Sequence, residues 1–184
     1  MCSPTIGTKL SNTWRLTLLW SSVGVHPHFA EPASPSFENF FSHSQYVGLG
    51  EGIDLNSGCL CPPNCCVSDC VRIRQIGFLR KVLPLAKVHD KTLVFYCRGT
   101  GAYQLVLDLL QELELTSLRI HLHCFTGGEF TVESWLSVCP HVYFGISPLL
   151  LQDRYLQDTV GNIPLDRIVL ESDAPYLPKY KNTP

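Results

Sequence analysis

Five polar side chains follow short apolar runs. Glu51 comes after Tyr46–Gly50 and Arg98 after Thr92–Cys97; His123 closes Leu118–His123, and Glu171 and Asp173 follow Arg167–Leu170. An imidazole among carboxylates makes a mixed nitrogen–oxygen donor set, suited to Zn, Mn or Mg rather than to thiolate-bound soft ions. One such ion can generate hydroxide from water. Two, a few ångströms apart, can stabilise both the attacking and the leaving oxygen of a phosphodiester. Each residue also has an ordinary reading. Glu51 could be a loop charge, His123 a core histidine satisfied by backbone, and Asp173, ahead of Ala174-Pro175, a local turn former. Their common placement after apolar runs favours a site.

Six runs must position them: Leu18–Val25, Tyr46–Gly50, Thr92–Cys97, Leu118–His123, Val142–Ile146 and Arg167–Leu170. Most are near-continuously apolar, the mark of parallel strands covered on both faces. Helical spacing lies between them. Ala102, Leu105, Val106, Leu109, Leu110 and Leu113 repeat at one-face intervals. Ile76, Leu79, Leu83 and Ala86 predict an earlier helix, which Pro84 should kink or break. A shorter helix is expected around Trp135 and Leu136, ending before Cys139-Pro140, and another over Pro148–Val160. Alternating strands and helices predict an α/β fold built from βα units. In a (β/α)8 barrel, the C-terminal strand ends are where site residues from different strands converge.

Composition narrows the classes. The chain has 184 residues, 45% hydrophobic and 16% charged, enough for one globular domain with a core. A net charge of −2 argues against a basic surface that wraps nucleic acid, so such a partner would have to be held locally, for instance through metal ions. The nine cysteines are an odd number, which points to free thiols in a reducing, intracellular compartment, cytoplasmic or nuclear. Cys59, Cys61, Cys65, Cys66 and Cys70 crowd one stretch whose spacing does not match ordinary zinc folds, and a variable loop over about 55–70 is expected. Lys9 and Arg15 before Leu16–Val25 imitate a short signal peptide. The run ends in His26-Pro27-His28 without a small-x-small cleavage site, so a buried strand fits better, and a membrane span is not expected.

Several segments, in order, resemble the signatures of TatD-type metal-dependent hydrolases. They are Gly24-Val25-His26-Pro27-His28, Gly50-Glu51, Cys97-Arg98-Gly99, His123-Cys124-Phe125-Thr126-Gly127, Tyr143-Phe144-Gly145-Ile146, Ile163-Pro164-Leu165-Asp166-Arg167 and Glu171-Ser172-Asp173-Ala174-Pro175-Tyr176-Leu177. The resemblance runs from about residue 17 to the end, with residues 1–16 as an N-terminal extension. It implies a TIM-type barrel of the metal-dependent hydrolase class that binds one or two divalent ions (Mg, Mn or Zn) and hydrolyses nucleic acid, mainly DNA. It places Glu51, His123 and Asp173 at metal-ligand positions, with Asp173 also suited to orient or deprotonate the attacking water. His26, His28 and Arg98 would line the substrate pocket, Arg98 gripping a phosphate through its planar fork.

The departures are specific. No His-x-His pair precedes residue 26, where the family opens with one, and Tyr96 stands where the family carries a metal-binding histidine. A phenol with a pKa near 10 is a poor substitute for imidazole at pH 7. Gly50-Glu51-Gly52-Ile53-Asp54 is one residue short of the family's register. Six strands are two fewer than a closed barrel needs, so an incomplete barrel is expected. The functional expectation is a metal-dependent phosphodiesterase resembling a DNA nuclease. The alternative is a catalytically weakened or inactive homologue, or a fragment, acting as a binding module.

Overall fold

The computed structural model describes residues 21–25, 44–54, 70–99, 101–173 and 177. His26, His28, the cysteines from Cys59 to Cys66 and the start of the first apolar run lie outside these residues.

Six strands form the sheet: β1 (Ser21–Val25), β2 (Tyr46–Asp54), β3 (Thr92–Arg98), β4 (Ile120–His123), β5 (Val142–Ile146) and β6 (Ile168–Leu170). They pair in sequence order, and every pairing is parallel. Among the described residues this is the predicted open, six-stranded α/β wall.

Helices α1 (Cys70–Val88), α2 (Ala102–Glu112), α3 (Glu129–Val138) and α4 (Arg154–Gly161) lie between the strands. Helix α1 packs on β2 and β3, and α2 on β3. Each helix buries the face its sequence advertises. In α2, Ala102, Val106, Leu109 and Leu110 are buried, with Leu105 and Leu113 packed against the same core. In α1, Phe78, Leu79, Val82, Leu83 and Ala86 are buried.

The expected break at Pro84 does not occur, because α1 runs through it. A proline inside a helix costs about 3 kcal/mol. Burying the large apolar side chains of this face returns roughly 1.5–3 kcal/mol each, so packing outweighs the lost hydrogen bond. The helix expected over Pro148–Val160 is two pieces, a 3-10 turn at Pro148–Leu151 followed by α4. Asp153 makes the division: its Oδ1 accepts from Leu156 N at 3.1 Å, capping a new helix. Glu51 lies within β2 rather than after it.

The sheet has two unlike faces, as alternation along a strand requires. Leu93, Phe95 and Cys97 of β3 and Ile120 and Leu122 of β4 are buried, whereas Val94, Tyr96, His121 and His123 are half-buried. Phe95 pairs with Leu122, and Tyr96 with His123. Both histidines of β4 therefore share one face with Tyr96. At the end of β2, Asp54 N donates to Gln75 Oε1 at 3.0 Å and Gln75 Nε2 donates to Asp54 O at 3.1 Å, tying this strand end to α1.

Cys97, Cys124 and Cys139 are free and buried. Burial holds the Cys97 thiol well above its ordinary pKa and pushes Cys139 up to about 12, so both remain protonated. No described helix is long and apolar enough to cross a membrane.

Candidate metal centre

The site forms where β4, β5 and β6 end. Phe125 N donates to Gly145 O at 2.8 Å, turning the chain after β4 against β5, and Glu171 N donates to Ile146 O at 3.1 Å. These backbone bonds set His123 and Glu171 side by side. His123 Nδ1 lies 2.5 Å from Glu171 Oε2, and Cys124 N donates to Glu171 Oε1, also at 2.5 Å. On the other side of the ring, His123 Nε2 is 3.3 Å from Asp173 Oδ1. Cys124 and Asp173 both have φ of 48°, in the left-handed region that non-glycine residues rarely enter.

An ionised carboxylate only accepts, so Nδ1 must be the donor to Glu171. In the neutral ring this leaves the Nε2 lone pair beside Asp173. A histidine oriented by a carboxylate through one nitrogen and offering the other is the usual arrangement around protein-bound metals. Nε2 and Oδ1 are separated by about the distance expected on a tetrahedral ion with bonds of roughly 2.0–2.2 Å. The donor set therefore fits a divalent cation.

The electrostatics agree. The Cys124 thiol and the Glu171 carboxylate push His123 up to about 10, against the opposing effect of burial. Burial raises Glu171, but its bonds from His123 and from the Cys124 amide outweigh this and leave it below the usual carboxylate range. Without a cation, His123 is thus an imidazolium facing two carboxylates, and a metal would have to displace its proton. Tyr96, its ring centroid 5.9 Å from that of His123, is raised mainly by burial and stays a neutral phenol.

His121 sits two residues before His123. Its Nε2 is buried without a hydrogen-bond partner, 3.6 Å from Glu171 Oε2. Burial lowers its pKa, with Glu171 opposing, so the ring is neutral. A Cβ on Gly145 would stand 2.6 Å from His121 Nε2 and closer still to Glu171 Oε1. Glycine at this position is what lets both side chains meet over β5.

Of the residues expected from sequence, His123 and Asp173 come together. Glu51 pairs with Phe95 in the β2–β3 register, and its side chain lies outside the described residues. Arg98 is exposed at the end of β3. Glu171 belongs to the strand-end set but is not among the expected metal ligands, and His121 and Cys124 are not singled out by the sequence. The i, i+2 spacing of His121 and His123 was the available signal. The pairing with Glu171 spans 48 residues and had none.

The TatD related DNase family matches residues 7–184. The human 3'-5' RNA nuclease TATDN2 is 32% identical over 166 residues, covering 86% of this chain and 20% of its own length. The 3'-5' ssDNA/RNA exonuclease TatD of Klebsiella pneumoniae is 30% identical over 166 residues, covering 86% of this chain and 58% of its own. The chain thus spans about three-fifths of that bacterial relative and a fifth of the human one. Among solved structures, the TatD homologue YJJV from Escherichia coli superposes with a TM-score of 0.68 at 23% identity, covering 86% of this chain and 59% of that one. It shares the fold. With the family matched along nearly its whole length, this chain belongs to the TatD-related DNases.

Proposed function

We propose that the chain carries part of the active site of a divalent-metal-dependent nuclease that hydrolyses phosphodiester bonds in single-stranded DNA or RNA. The observation that carries this reading is the posture of His123, with Nδ1 held by Glu171 and Nε2 presented beside Asp173. The names of the relatives, an RNA nuclease and an ssDNA/RNA exonuclease, support the substrate class and widen it beyond the DNA first expected.

In this reading His123, Asp173 and Glu51 hold the ion, as Mg, Mn or Zn. A bound divalent cation lowers the pKa of water and neutralises charge on the phosphodiester. Asp173 accepts hydrogen bonds from the attacking water and takes its proton. Glu171 keeps the His123 ring in one tautomer. Arg98, exposed at the strand end, offers a planar pair of donors to a backbone phosphate, with His26 and His28 as further substrate contacts.

The test is digestion of 3'-labelled single-stranded DNA and RNA with Mg, Mn or Zn added, with and without EDTA. It is run on this chain and on Asp173→Asn and His123→Ala. Metal-dependent cleavage reduced at least 100-fold in both variants is expected. Cleavage that survives EDTA, or is unchanged in both variants, would overturn the assignment.

A further inference from the structure

The side chains around Glu171 offer more donor atoms than the nuclease centre proposed above uses. We propose a second divalent-cation site, built by His121 Nε2, His123 Nδ1 and Glu171 Oε2 and suited to zinc.

The three side chains each offer one ligand atom, and these atoms lie within 4.8 Å of one another. Glu171 Oε1 is engaged by the Cys124 amide, so Oε2 alone faces the two rings, 2.5 Å from His123 Nδ1 and 3.6 Å from His121 Nε2. The longer separation suits two ligands of one zinc ion with bonds of roughly 2.0–2.2 Å, and the shorter need open by under about 1 Å. A cation here would displace the proton that His123 Nδ1 donates to Glu171. His121 Nε2 is the independent pointer: buried polar atoms are rarely left without a partner, and this one is aimed at the same carboxylate. Two imidazoles and one carboxylate form the donor set of open zinc sites, completed by water.

His121 and His123 face the same side of β4 because they are two residues apart on a strand. Gly145 on the neighbouring strand leaves room for the cluster, since any Cβ there would strike His121 Nε2 and Glu171 Oε1. Tyr96, opposite His123 in register, offers no imidazole to the face. His121 supplies one from within β4. The site meets the proposed nuclease centre at His123 through the opposite ring nitrogen and does not use Asp173; with both filled, the ring would give up both nitrogen protons and bridge as an imidazolate, and Glu171 would turn from the Nδ1 proton to the cation.

Calorimetric titration with ZnCl2, with X-ray absorption at one equivalent to count imidazole ligands, tests the site in an Asp173→Asn background. That variant is expected to retain one zinc bound by two imidazoles. Adding His121→Gln should weaken binding at least tenfold and leave one imidazole, as loss of a direct ligand should cost no less than the roughly 10–100-fold typical of an outer-shell partner. A thermal melt verifies folding. If His121→Gln does not fold, Gly145→Ala, which displaces the carboxylate instead, must produce the same loss. Loss of all zinc in Asp173→Asn, or equal affinity with and without His121, overturns the site. Equal stoichiometry and affinity in wild type and Asp173→Asn would instead discard the Asp173 centre and leave this one standing.

Discussion

His123 Nδ1 and Glu171 Oε2 lie 2.5 Å apart although 48 residues separate them in the chain. The contact joins the end of β4 to the residue after β6, across β5. It orients the ring, turns its Nε2 toward Asp173 and makes the protonation state of the whole cluster a property of the fold.

Stability without metal should therefore depend on pH in a defined direction. His123 is pushed up to about 10 in the folded chain, against an ordinary value near 6.5. A raised pKa stabilises fully below the unfolded value, and this contribution fades as pH rises through about 10. Glu171, held low, contributes above its unfolded value and loses that contribution as pH falls. In EDTA, the melting temperature is expected to decline between pH 7 and 10. Substituting His123→Gln should flatten that limb, and an equal decline in the variant would assign it to other groups.

Zinc uptake should run the other way. Binding must release the His123 proton, so affinity should rise with pH from 6 to 9 and protons should appear in unbuffered solution. A pH-independent affinity with no proton release would mean that His123 is not a ligand.

Gly145→Ala should separate stability from the site. The new Cβ meets the tips of Glu171 and His121, which must swing away. The melting temperature is expected to fall by no more than in His123→Gln, since both changes break the His123–Glu171 contact and leave the core intact. Zinc affinity should fall at least tenfold, since the oriented carboxylate is lost. Unchanged affinity would show that the carboxylate's position is immaterial.

Tyr96→His puts an imidazole opposite His123 in the β3–β4 register. Zinc affinity should rise by at least tenfold, because imidazole contributes more to zinc than a neutral phenol. His123→Ala should cancel the gain. Equal calorimetric affinities in wild type, Tyr96→His and the double variant would place positions 96 and 123 in separate environments.

Gln75→Leu tests the scaffold instead. It removes both bonds to the Asp54 backbone at the end of β2. Each lost hydrogen bond costs roughly 0.5–1.5 kcal/mol, so a clear loss in urea midpoint is expected. No loss would mean that neighbouring groups or water take over the bonds.

The strands were legible because their apolar runs carry a local signal. Val142–Ile146 matches β5 residue for residue, and Thr92–Cys97 falls one short of β3. Helix α2 was legible from one-face spacing. Pro84 misled because its local cost is visible in sequence, while the core that overrides it is assembled from distant residues. In the site, His123 and Asp173 were reachable from strand-end placement and family resemblance. Glu171 stood in the same strand-end set, but its partnership with His123 depends on β4 and β6 flanking β5, a relation no local pattern encodes. Gly145 reads as an unremarkable glycine until the side chains crowding it are seen.

Cys124 and Asp173 both hold left-handed backbone angles without being glycine. Such positions typically cost of order 1–3 kcal/mol, and relieving them is a common route to a hardier protein. Consensus or thermostability engineering of this chain would be drawn to Cys124 first, with Gly as the natural replacement. The main-chain amide that holds Glu171 would survive that change, but the Cys124 thiol, the leading influence on His123, would be lost. A hardier variant selected only on survival to heat would thus tend to drift away from the chemistry, so any such library needs a metal-binding screen running beside the heat screen.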